Sequence, residues 1–256
     1  MKKILLLLGI LVSLTAAHVV FGQTTGVINY EVKINLHRNI PPEREAQKTM
    51  IPEFRTMKQQ LFFNESESLY KPVIEDEEEN FSAGGGGGMR MNFRMQGAEL
   101  YLDQNTGKTL SKQELMGKNY LIEDSMKMSP WKFGTQTKII ANYECNMAFY
   151  TQTDTFKIAD REPVIRIQEI TAWFTNKVRP FLGPERFNTL PGAVLAVDIN
   201  NGERVILAKT IELRELKKNE LKAPITGTRV TQAGFRKIME EQMKQMGGGR
   251  QMMIRN

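Results

Sequence analysis

Two histidines, His18 and His37, and one cysteine, Cys145, occur in the 256 residues, and this shortage closes most catalytic and metal chemistry. A zinc site built on imidazoles needs at least two of them, and a Ser-His-Asp triad would rest on His37 alone at a strand end. His37 therefore reads as a surface residue. Ser129-Pro130-Trp131-Lys132 spells Ser-x-x-Lys, but Pro130 beside the serine opposes the helix such a nucleophile needs, and neither Ser-Asp-Asn nor Lys-Thr-Gly accompanies it. Asp103-Gln104-Asn105-Thr106-Gly107 and Asp198-Ile199-Asn200-Asn201-Gly202 have the flavour of calcium loops, yet both are more simply hairpin turns. Cys145, in Tyr143-Glu144-Cys145-Asn146-Met147, reads as a small buried hydrophobe. One chemical oddity remains: Met89, Met91, Met95, Met239, Met243, Met246, Met252 and Met253 gather near two glycine-rich stretches. Thioethers suit Cu(I), and they suit helix packing and adaptable contacts equally.

The elements that must carry these residues are short strands. Ile28, Tyr30, Val32, Ile34 and Leu36 alternate with polar residues, the period of a half-buried antiparallel strand. Further strands are expected over 59–63, 68–73, 98–102, 109–115, 119–123, 139–150, 165–174, 190–199 and 204–213, with Asn201-Gly202 turning the last pair. One or two helical turns fit 43–58, and a helix fits 231–246, where Phe235, Ile238, Met239, Met243 and Met246 lie near helical spacing. Many short strands at this spacing predict a mainly β fold, an antiparallel sheet forming an open barrel or sandwich with a C-terminal helix.

Lys2 and Lys3, the apolar run from Ile4 to about Phe21 and the small residues before Gln23 have the order of a secretory signal peptide, so residues 1–22 are expected to be cleaved. No cysteine lies near that point, which excludes a lipoprotein, and no integral span is expected after cleavage. The remaining 23–246 form one expected domain, interrupted at 75–95 by five acids, five glycines and a methionine-arginine run that read as a flexible loop, and followed by a flexible tail at 247–256. The glycines lack the Gly-Lys-Ser/Thr of a phosphate loop. Net charge is +6, two units of it from Lys2 and Lys3, with both signs interspersed along the chain. That pattern speaks for solubility and against a nucleic-acid partner.

Ala172-Trp173-Phe174-Thr175, Gly183-Pro184 and Leu190-Pro191-Gly192 fall in the order A-W-[FY]-T, G-P, L-P-G. This segment resembles the signature of the GLPGLI family, envelope proteins of Bacteroidota-type bacteria. Ile140 to Phe149, with its tyrosine, cysteine and alanine, resembles the strand that precedes the signature, so the resemblance spans about 100–213. Thr189 stands where the family usually has glycine, and Ala193 and Val194 replace leucine and isoleucine. The resemblance implies an envelope address and names no reaction.

Proline fixes φ and lacks an N–H, and glycine permits close neighbours, so Gly183, Pro184, Pro191 and Gly192 are expected to bend a hairpin onto the core. The alternative is a ligand or partner groove lined by Trp173, Phe174, Phe181, Phe187 and Leu190. Taken together, the residues favour a non-catalytic periplasmic or secreted binding module for an envelope protein or an extended apolar ligand, with no cofactor. A hydrolase of peptide or cell-wall material and copper handling through methionines are the alternatives.

Overall fold

The computed structural model describes residues 24–73, 98–156 and 164–252. The expected leader at 1–22 and the insertion at 75–95 lie outside them. The described chain is mainly β, as its alternation predicts, and folds as one open twelve-stranded sheet with a C-terminal helix.

Two up-and-down meanders make up nearly all of it. The first runs β1 (Gly26–Asn35), β2 (Phe54–Phe63), β3 (Glu67–Pro72), β4 (Glu99–Asp103), β5 (Lys108–Leu115) and β6 (Lys118–Ser125). The second runs β7 (Lys132–Ile140), β8 (Tyr143–Phe156), β9 (Val164–Thr175), β10 (Ala193–Ile199) and β11 (Arg204–Leu213). Within each meander every strand is antiparallel to its sequence neighbour, and the two meanders meet where β1 pairs antiparallel with β11. The short β12 (Thr228–Thr231) lies parallel to β6 and leads into α1 (Gln232–Met252), whose Phe235 packs edge-on against Tyr120. Two 3-10 segments, His37–Asn39 and Pro42–Met50, fill the β1–β2 connection.

Turn chemistry explains the tight corners. Met116-Gly117 and Ala141-Asn142 hold positive φ at both central positions, the backbone that matches the twist of a two-residue hairpin. The second corrects the single strand expected over 139–150: the chain reverses at 141–142, so Cys145 belongs to β8 and not to the strand before it. Asp103 and Asp198 are turn residues as expected. Asp103 accepts from the Asn105 N–H and the Thr106 hydroxyl, and Asp198 accepts from the Gly202 N–H at 2.6 Å. The helix runs to Met252, past the expected end at 246.

One face of the sheet carries the core. Ile28, Tyr30 and Val32 of β1 share it with Leu61 and Phe63 of β2, Tyr70 of β3, Ala148 and Tyr150 of β8, Ile170, Ala172 and Phe174 of β9, and Val194 and Val197 of β10. The sheet bends enough for the Tyr30 hydroxyl to reach past β11 and donate to the Val194 carbonyl of β10 at 2.6 Å. That bond satisfies the only polar atom of a side chain that is otherwise core.

Candidate binding surface on the second meander

Residues 176–192, between β9 and β10, lie against the core face as a plug. Val178, Leu182, Phe187 and Leu190 are buried in the core. The plug holds its own shape through backbone bonds from Phe181 N–H to the Leu190 carbonyl and from Phe187 N–H to the Pro184 carbonyl, and it docks on β10 through the bond from Val194 N–H to the Leu182 carbonyl. Arg179 then crosses to the first meander, donating to the Glu67 carbonyl at 2.9 Å and to Gln104 Oε1 at 2.5 Å. Burial pulls its guanidinium down to about 10, so it stays charged at neutral pH.

The signature glycines serve close approach. A Cβ on Gly183 would stand 2.1 Å from the Phe187 carbonyl oxygen, and one on Gly192 would stand 2.2 Å from that of Thr175. Neither has positive φ; the left-handed positions of the plug are Phe181 and Glu185. Pro184 is buried and Pro191 exposed. Thr189, in the family's glycine position, is buried and uses its hydroxyl, which accepts the Trp131 indole N–H at 2.9 Å.

The expected aromatic groove is split by the sheet. Phe174, Phe187 and Leu190 come together in the core, and Phe181 is half-buried in the plug. Trp173 follows the strand's alternation to the opposite face. Cys145 joins the core, where burial pushes its thiol up to about 11.

On that outer face Trp173 forms one wall of a cleft of about 560 Å³ that also takes in Lys138 of β7, Met147 of β8, Glu169 and Thr171 of β9, and Asp198 of β10. The Lys138 ammonium lies 4.1 Å from the Trp173 ring centroid. Desolvation lowers its pKa, against the pull of Asp198. Next to the cleft, β8 and β9 outrun their neighbours. The pairing of β7 with β8 ends at Phe149 and that of β10 with β9 begins at Ile170, so the ladder of 151–156 with 164–169 runs on beyond both, tied to the β10–β11 turn by the Asn200 N–H donating to the Glu169 carbonyl at 2.8 Å. This two-stranded arm is braced by the Glu169 N–H donating to Asn200 Oδ1 and by Arg166 paired with Glu203 at 2.9 Å. On its outer face Ile165 is 65% exposed and Ile167 61%, in line with Thr171 and Trp173, and Phe149 lies directly across from Thr171.

Inside, Arg204 of β11 pairs with Glu185 of the plug through two bonds, one of 2.9 Å from Nη1. Tyr70 lies close by, its hydroxyl pushed far up by burial and then by the Glu185 carboxylate. The pair ties plug to sheet. No three His, Cys, Asp or Glu side chains form a metal-binding group among the described residues. Met89, Met91 and Met95, along with Met253, lie outside those residues.

Lys138, Glu169, Ile165 and Ile167 carry the outer surface and are absent from the residues singled out in the sequence, while Asp198 was singled out there only as a turn residue. Alternation along β9 was the available signal: 165, 167, 169, 171 and 173 share a face by period alone.

Two solved structures similar in fold are crystal forms of PNGF-II. One matches with TM-score 0.51 at 12% identity, over 84% of this chain and 33% of that one. The other matches with TM-score 0.50 at 13% identity, over 86% and 32%. The chain thus spans about a third of the length of the structures it matches, and the likeness concerns the fold. No curated protein matches the sequence. Residues 131–196 match the family model described as "Protein of unknown function (Porph_ging)". That segment runs from Trp131 through β7, β8, β9 and the plug into β10, and over those residues the chain is similar to the family that this model describes, the GLPGLI family.

Proposed function

We propose that this chain is a non-catalytic binding module of the cell envelope, periplasmic or secreted, which takes up an extended apolar segment of an envelope protein on the outer face of the β8–β9 arm. The observation that carries this reading is the pair Ile165 and Ile167, apolar and open to solvent on a two-stranded extension of the sheet, with Phe149 exposed on the same face beside it. Isolated two-stranded ribbons are marginal in water, and exposed apolar patches mark contact surfaces. A partner strand laid along the arm would bury these side chains and extend the ribbon by main-chain hydrogen bonds, the strand-addition mode of peptide recognition. The hydrolase reading has one observation in its favour, the presence of Glu169 and Asp198 in one cleft.

A photo-crosslinking amino acid at position 165, compared with one at exposed Leu213 far from the arm, tests the proposal in envelope extract. Partner adducts are expected from position 165 only. Ile165→Ser with Ile167→Ser should abolish competition for that partner without lowering Tm. Equal adducts from both positions, or unchanged competition by the double variant, would remove the arm as the binding face. Turnover of peptide or cell-wall fragments lost in Glu169→Gln would install the hydrolase instead.

A further inference from the structure

We propose that the outer-face cleft binds an alkylammonium group, a lysine side chain or a free amine, between the Trp173 ring and the carboxylates of Glu169 and Asp198. The chain's own Lys138 shows what the ring accepts, since its ammonium already lies 4.1 Å from the indole centroid. A cation is drawn to the negative face of an indole more strongly than to any other aromatic side chain. The cleft also has charge to spare. Glu169 and Asp198 bring two negative charges and Lys138 one positive, which leaves one unit of negative charge for an incoming cation.

Neighbouring charges do not cancel that surplus. Glu31 pairs with Lys209 at 3.6 Å, Arg166 pairs with Glu203, and Lys33 lies over the Phe54 ring at 3.8 Å. Lys138 is an imperfect occupant. It reaches the ring from an edge strand on a flexible side chain that can swing away, so an external ammonium that approaches from solvent competes with it for the ring. Val205, Leu207 and Met147 supply apolar lining for the methylenes that follow the charged head. The site adjoins the arm's apolar row on the same face, but it is built on Trp173, Glu169 and Asp198 rather than on Ile165 and Ile167, so its test is read separately from that of the partner proposed above.

Titration of the full chain, followed by the Trp173 indole N–H signal in NMR, tests this with four probes: cadaverine, Nα-acetyl-lysine methylamide, 1-pentanol and acetate. Both amines are expected to shift the signal saturably, while the neutral alcohol and the anion leave it in place. Lys138→Met, which removes the internal competitor, should tighten amine binding roughly three- to tenfold, and Glu169→Gln should weaken it by a similar factor. Preference for the lysine derivative would identify a protein side chain as the source, and preference for cadaverine a free amine. Binding of pentanol or acetate as tight as that of the amines would overturn the proposal, as would amine affinity unmoved by both substitutions in variants that keep the parent's Tm.

Discussion

Trp131 and Thr189, 58 positions apart, meet through one hydrogen bond, the indole N–H donating to the threonine hydroxyl at 2.9 Å. Trp131 also stands edge-on to Tyr150, with ring centroids 4.6 Å apart, so the bond fixes a strand-end aromatic to the tip of the plug. The residue that departs from the family pattern is therefore the one that latches the plug to β7 and β8.

Removing the latch should cost stability without altering the fold. Thr189→Val keeps the volume and deletes the acceptor, and is expected to cost about 1 kcal/mol, the usual net worth of one hydrogen bond. Thr189→Gly restores the family residue and loses more, since it also empties a buried site and frees the backbone. Denaturant unfolding measures both. A glycine variant as stable as the parent would show that the latch contributes nothing.

Gly183 and Gly192 should resist even the smallest side chain. With backbone oxygens 2.1 and 2.2 Å from the position of a Cβ, alanine at either forces the plug off the sheet, an overpacking cost of about 1–3 kcal/mol or more. Gly107 makes the comparison, because it has positive φ and open space around its Cβ position, so Gly107→Ala should cost only about 1 kcal/mol of backbone strain. Thermal melting ranks the three. A larger loss at Gly107 would mean that turn conformation outweighs close approach.

Cys145 predicts an alkaline loss of stability. Burial holds its folded pKa at about 11 against an ordinary thiol value of about 8.5. The folded state therefore keeps a proton that the unfolded chain gives up. Its contribution is complete below about pH 8.5 and is lost as pH rises through 11, with an upper bound of about 3 kcal/mol. Tyr30 and Tyr70, also raised by burial, add their own loss only above about pH 10, so the interval from 8.5 to 10 isolates the thiol. Cys145→Ala should flatten the stability profile there, and thiol reagents should modify the parent only after unfolding. Fast labelling of the native protein at neutral pH would contradict both.

Much of the sheet was legible because period-two alternation is a local property. Ile28 to Leu36 announced β1, and Asn201-Gly202 announced the β10–β11 corner. Other corners were silent. Ala141-Asn142 turns the chain with no glycine at all, and the resulting two strands read as one. β12 is four residues whose parallel pairing with β6 is settled by the end of the first meander and by Phe235 packing on Tyr120, none of which a short window contains. The aromatic residues of the signature suggested a groove because they cluster in sequence, while the pleat sends neighbours such as Trp173 and Phe174 to opposite sides of the sheet. Arg179, which reaches from the plug to the first meander, carries no local pattern that marks it.

The seam between β1 and β11 has a kinetic consequence. Each meander consists of hairpins that close over short loops, but the seam joins Gly26 to Leu213 and Ile34 to Arg204. Loop closure on that scale comes late and slowly. During synthesis the first meander must therefore wait, with the β1 edge open, until β11 has emerged. The rate-limiting event of folding should be the zipping of two preformed halves, with Arg179 reaching Glu67 only once that zip has closed.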